Sequence, residues 1–195
     1  ALVSVQNVYS RKAVKRPPMK IYKIPADIKT IIFDIDSTLY TSAAYAFEQV
    51  DAQIRCFAKK SGMSPAAARN MISEFRRDWS RKNGGKKISL GNAFTHFGVT
   101  IEESIKMRRE LLEPADFLSR DDALIAAITE LKKSYSLICV TNNPVLPARK
   151  TLEAIGIADL IPDIIGLDTC GKSKPAKEPF LLAASRTGAL PEQCL

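Results

Sequence analysis

The chain has 195 residues, 46% of them hydrophobic and 26% charged, which is the profile of a globular protein with room for one or two domains. No apolar run approaches the roughly 18 residues that a membrane span needs, and Ala1 to Ser10 lack the basic-then-apolar order of a secretory signal. The net charge is +8, and much of the excess is local: Arg11, Lys12, Lys15, Arg16, Lys20 and Lys23 all precede the first acid, Asp27.

Residues 1–28 therefore read as a basic leader, poorly ordered at its start. Such a tail can touch nucleic acid or an acidic membrane, but a solvated leader explains the same charges. Neither a membrane nor a nucleic acid is expected as a partner. Met19, followed by Lys-Ile-Tyr-Lys-Ile-Pro, also reads as a start site with residues 1–18 an extension.

Thr30 to Asp36 predicts the first element, a buried parallel strand ending in two aspartates, Asp34 and Asp36, and then Ser37-Thr38-Leu39. Tyr45 to Lys60 has apolar residues at helical spacing and stops at Gly62. Ser64-Pro65 opens a second helix to about Trp79, with Ser as N-cap and Pro at the first helical position. Asn83-Gly84-Gly85 is a loop among Arg76, Arg77, Arg81, Lys82, Lys86 and Lys87. A solvated face and a substrate-binding rim both explain these cations. Helical pattern resumes from Leu90 to Phe97, and Thr100-x-x-Glu103 is a capping box for a helix to about Leu112. His96 reads as a packing or surface residue.

Strand signals return only after this all-helical stretch of roughly 75 residues. Asp121 to Ser134 is an amphipathic helix, Ser136 to Thr141 a buried strand, and Pro147 to Ile155 a helix closed by Gly156. Asp163 to Asp168 predicts a third strand, and Lys177 or Glu178 to Thr187 a last helix. These are βαβ units, hence a parallel sheet. Four separated cysteines, Cys56, Cys139, Cys170 and Cys194, form no CxxC pair and suit a reducing, cytosolic compartment.

In a parallel sheet the strand ends share one edge, which is where open α/β folds place ligands. The first strand brings Asp34 and Asp36 there, the second Thr141, Asn142 and Asn143, and the segment after the third Lys172, Lys174 and Lys177. Two adjacent carboxylates repel one another. They are tolerable beside a cation, or as a nucleophile with a separate acid/base.

Asp34-Ile-Asp36-Ser-Thr38-Leu39, Val140-Thr141-Asn142, and Lys174-Pro175 with Phe180 resemble the first three motifs of the haloacid dehalogenase-like (HAD) phosphohydrolase superfamily. The helical insertion is similar to its C1-type cap. The resemblance implies a Rossmann-like three-layer α/β sandwich with a mostly parallel sheet, built from 29–41 and 115–195, and an inserted helical cap over 42–114. It implies that Asp34 attacks phosphorus and that Asp36 is the acid and base. Thr141 then binds a phosphoryl oxygen, and Lys174 offsets charge. Thr38, Asn142 and Asn143 are implied substrate or phosphate contacts. Mg²⁺ would be held by Asp34 and, through its carbonyl, Asp36.

The expected substrate is a small phosphorylated metabolite. The start of the cap and the segment after Thr141 are similar to pyrimidine 5′-nucleotidase-like members, which points to a nucleoside monophosphate. Halide release needs no proton, so dehalogenation would leave Asp36 without a purpose. The family's fourth motif adds acids at the end of a further strand. Here Pro191 to Leu195 resembles only the approach to it. The expectation is a shortened phosphatase with weak Mg²⁺ binding, slow turnover and an open sheet edge. The alternative is a decayed, largely inactive binding module.

Overall fold

The computed structural model describes residues 24–195; the basic leader up to Lys23, with the start-site reading at Met19, lies outside the described residues. Three parallel strands, β1 (Thr30–Phe33), β2 (Ser136–Val140) and β3 (Ile164–Ile165), form a sheet in that order. Parallel neighbours need long crossovers. The first crossover carries α1 (Ala43–Lys60), α2 (Pro65–Lys82), α3 (Leu90–His96), α4 (Ile101–Leu111) and α5 (Asp122–Lys132). The second is α6 (Val145–Ile155), and α7 (Leu167–Cys170) and α8 (Glu178–Thr187) follow β3.

Side-chain alternation along the strands sorts the core into two layers. Ile31, Leu137, Cys139 and Ile164 pack with Ile128 of α5 and Leu152 and Ile155 of α6. Ile32, Ile138, Val140 and Ile165 face Leu182 and Ala183 of α8. The sheet thus lies between two helical layers. Its central strand is covered on both sides, which is why Leu-Ile-Cys-Val reads as an unbroken apolar run. Burial pushes the Cys139 thiol up to about 12. Gln193 to Leu195 lie along the other side of β1, where the Ile32 amide donates to the Leu195 carbonyl (2.8 Å) and the Leu195 amide to Thr30 (3.0 Å). The edge expected to be open is partly taken up.

Two strands are shorter than their apolar runs. β1 stops at Phe33 because a turn takes over: the amides of Thr38 and Leu39 both donate to the Ile35 carbonyl, and Ser37 sits at φ 61°. β3 is Ile164–Ile165 rather than 163–168, since Gly166 and the helical turn α7 follow at once. Helix α6 starts two residues before Pro147. Pro144 offers no side-chain cap, and Asp168 Oδ1 accepts the Val145 amide instead (2.9 Å).

Helices α1–α4 have an apolar core of their own, centred on Ile54, Phe57, Ile72 and Phe94. Their caps are local and legible: Ser64 with Pro65 for α2, and the reciprocal Thr100–Glu103 box for α4. His96 stacks on Phe75, ring centroids 4.2 Å apart, which makes it a packing residue. Asp51 of α1 is nearly buried and binds Arg69 of α2 (Nε–Oδ1 2.6 Å) and Arg55. The Arg69 hydrogen bond holds its carboxyl below the usual carboxylate range. Among the described residues, no helix is long and apolar enough to cross a membrane.

The joint between these helices and the sheet is centred on Tyr45, which is 1% exposed. Its ring stacks on Phe117 (5.7 Å) and lies 5.8 Å from Tyr40, and its hydroxyl is 3.4 Å from Thr151 Oγ1 of α6. Burial pushes its phenol up to about 12.

Candidate active site

The strand register sets the geometry. Phe33 stands opposite Cys139, so Asp34 comes level with Val140, one residue before Thr141, and both strands end at the same edge of the sheet. Asp34 Oδ1 accepts the Ile35 amide (2.8 Å) and meets Lys174 Nζ at 2.6 Å. Of the three lysines after β3, Lys174 is the one joined to Asp34. It also donates to the Val140 carbonyl (2.9 Å), which leaves its ammonium bridging the ends of β1 and β2. These contacts leave Asp34 Oδ2 for chemistry.

Asp36 is held differently. Tyr40 Oη donates to Oδ1 (2.5 Å), as does Gln49 Nε2 (2.8 Å), and Asn143 Nδ2 donates to Oδ2 (2.8 Å). Asp34 therefore faces a cation and Asp36 faces neutral donors. Burial, and then the Asp36 charge, push the Tyr40 phenol far above the tyrosine range, which makes it a permanent donor.

Asn142 and Asn143, expected as phosphate contacts, are engaged with the protein. Asn142 Oδ1 accepts the Lys174 amide (2.7 Å), and its Nδ2 donates to the Lys174 carbonyl (3.3 Å). Asn143 spans Asp36, Gln49 and Arg108. Asn143 spends both amide hydrogens on Asp36 and Gln49, whereas Asn142 holds the Lys174 backbone with one and keeps the other. Thr141 is 4% exposed, and its Oγ1 accepts the Asn143 amide (3.1 Å), so its hydroxyl proton is free to donate onward. Thr38 is exposed on the Ile35 turn and stands outside this network.

Three residues that the motif reading missed complete the site. Tyr40 and Gln49 clamp Asp36, and Arg108 of α4 donates from Nη1 to the Asn142 carbonyl and Asn143 Oδ1, both at 3.2 Å. Gln49 carried a faint signal, a polar residue on α1 one turn before the buried Gln53. The cleft between helices and sheet has a volume of about 830 Å³, and Asp36, Gln49, Arg76, Lys87, Arg108 and Lys174 line it. Arg76 and Lys87 thus border the site. Arg81 instead pairs with Asp78 away from the cleft.

Among the described residues no three His, Cys, Asp or Glu side chains cluster as a metal site. The oxygens at hand are Asp34 Oδ2 and the Asp36 carbonyl. Both are hard donors, and Mg²⁺ is commonly held by one or two carboxylates plus a phosphate and waters, so the set fits Mg²⁺ in kind.

Residues 28–195 match the family model described as haloacid dehalogenase-like hydrolase. The chain belongs to this family. It is 25% identical over 183 residues to the phosphoglycolate phosphatase of Salmonella typhimurium, covering 87% of this chain and 73% of that one. The Xanthomonas campestris phosphoglycolate phosphatase is 27% identical over 182 residues, covering 86% and 72%. Among solved structures, the HAD phosphatase from Thermococcus onnurineus aligns with a TM-score of 0.57 at 25% identity, over 86% of this chain and 75% of that one. A HAD-superfamily hydrolase of subfamily IA from Geobacter sulfurreducens shares the fold, with a TM-score of 0.55 at 18% identity over 86% and 77%. This chain is accordingly a HAD-like hydrolase whose α/β sheet carries a helical insertion.

Proposed function

We propose that the protein is a Mg²⁺-dependent phosphomonoesterase acting on a small phosphorylated metabolite through an aspartyl-phosphate on Asp34. One observation carries the reading: Lys174 Nζ lies 2.6 Å from Asp34 Oδ1, so a nucleophile and its charge partner meet from 140 positions apart, beside a second acid held by neutral donors. Asp34 Oδ2 attacks phosphorus as the bond to the leaving oxygen breaks, and Asp36 gives that oxygen its proton. Asp36 then takes a proton from the water that attacks the phosphorylated Asp34, and inorganic phosphate departs. The Thr141 hydroxyl and the Lys174 ammonium stabilise charge on the phosphoryl oxygens. Asp34 and the Asp36 carbonyl would hold Mg²⁺, which supplies charge neutralisation at the phosphoryl group when bound. A cytosolic setting belongs to the same reading and is supported by four unbridged thiols.

Uncatalysed monoester hydrolysis is so slow that roughly 20 kcal/mol of barrier lowering is needed, which suits a site dense in charge. The test is a panel of p-nitrophenyl phosphate, 2-phosphoglycolate and uridine monophosphate, assayed with Mg²⁺ and with a chelator. Hydrolysis is expected with the metal only, and Asp34→Asn is expected to abolish it. An Asp34→Asn protein that hydrolyses the panel at the parent rate would overturn the assignment.

A further inference from the structure

We propose that Arg108 selects the leaving group, and that it favours esters whose alcohol carries a second anionic group, a carboxylate or further phosphate, near the scissile bond. The inference rests on the phosphomonoesterase reading above and concerns the half of the substrate that reading leaves open.

Arg108 is in the last turn of α4 and lines the cleft. Its two contacts are neutral oxygens, of Asn142 and Asn143. Its Nε is buried without a partner, and among the described residues no carboxylate forms an ion pair with it. A half-buried guanidinium left this way costs folding free energy, because its lost hydration is not replaced by an opposite charge. Burial accordingly draws it below the usual arginine range, against the pull of Asp168 and Asp36. A bound anion supplies the missing partner.

The placement says which part of a substrate that anion belongs to. Lys174 already answers the charge at Asp34, where the phosphoryl group would be transferred. Arg108 stands instead one side chain from Asp36, through Asn143, on the side where the proton goes to the leaving oxygen. The other cations of the cleft are less available: Arg76 is committed to the Ile88 carbonyl, and Lys87 is exposed at the rim. A short leaving group with a carboxylate next to its oxygen can fill this space and meet Arg108 with charge-assisted hydrogen bonds. A nucleoside, the leaving group that the motif reading suggested, is uncharged and has no use for Arg108.

The test compares 2-phosphoglycolate with ethyl phosphate, which has a methyl group in place of the carboxylate, and with uridine monophosphate. Binding is measured by calorimetric titration of the Asp34→Asn protein, and turnover by kcat/KM of the otherwise unaltered protein. The parent should prefer 2-phosphoglycolate over both others. Arg108→Met keeps the apolar stem and removes the charge. It should cut that preference on the order of 10- to 100-fold, with Tm unchanged or raised because an uncompensated charge is gone. Arg108→Lys should retain part of the preference, and serves if the Met variant fails to fold. A preference that Arg108→Met leaves unchanged, or a parent that has none, would overturn the proposal; so would a lowered Tm with equal loss on all esters, which makes Arg108 a clasp between cap and core. If no ester binds or turns over, the phosphomonoesterase reading itself fails; ethyl phosphate separates the two failures, since it has no group for Arg108.

Discussion

Asp36 receives donors from the turn after β1 (Tyr40), the second turn of α1 (Gln49) and the segment after β2 (Asn143). An acid that must aim a proton at a leaving oxygen depends on such fixing, since small misplacements cost rate steeply. Tyr40→Phe and Gln49→Leu each remove one donor and keep the volume nearly constant. Each is expected to lower kcat about tenfold with little change in KM, while Asp36→Asn should lose the full ~10²–10⁴ of acid/base catalysis. Steady-state kinetics decide it, and a variant whose KM alone rises would move Gln49 to substrate binding. The acid pair was legible because both members sit within three residues of one another after an apolar run. Arg108 was not: nothing in Met-Arg-Arg-Glu separates a cleft residue from a solvated one, and only the docking of α4 against the Asn142 loop does so.

Element ends, more than element interiors, position this site. Gly166 ends β3 against the Asn143 loop. A Cβ there would meet the Asn143 carbonyl at 2.7 Å and the Val145 amide at 2.8 Å, both backbone atoms. Gly166→Ala is therefore expected to shift Asn143, release Asp36 and lower kcat, with circular dichroism unchanged at room temperature. Within the cap, Asp51 links α1 to α2. Its folded-state pKa lies below the unfolded value near 3.9, so the stability it contributes is present above that pH and lost as pH falls through the folded value. Asp51→Asn should lower stability by roughly 1–2 kcal/mol at pH 7, and in acid denaturation the gap to the parent should narrow as pH falls below the unfolded value of about 3.9. Local signals such as the Thr100–Glu103 box gave their helix ends directly. The strand ends did not follow their apolar runs: Ile35 is buried and apolar, yet a turn claims it, and Leu167 lies in a helical turn.

At the scale of the molecule there are separate apolar cores, one layer on each face of the sheet and one within α1–α4. Leu152, fully buried beneath the sheet, supports the first. Leu152→Ala is expected to cost about 2–5 kcal/mol. The single tryptophan, Trp79, is in α2, so its fluorescence follows the cap. The far-UV transition should move to lower urea and the fluorescence transition should move less; an equal shift would show that the two parts unfold as one. Tyr45 gives their joint a further property. It packs beside both chain crossings, against Tyr40 and Phe117, and in any swing of the helices about it travel would grow with lever arm. Gln49 lies only about 6 Å up the helix from it, whereas Lys60 at the far end lies about 22 Å away. A gaping cap would carry its outer rim well clear of the sheet while barely loosening the clamp on Asp36, and the proton donor would keep its aim.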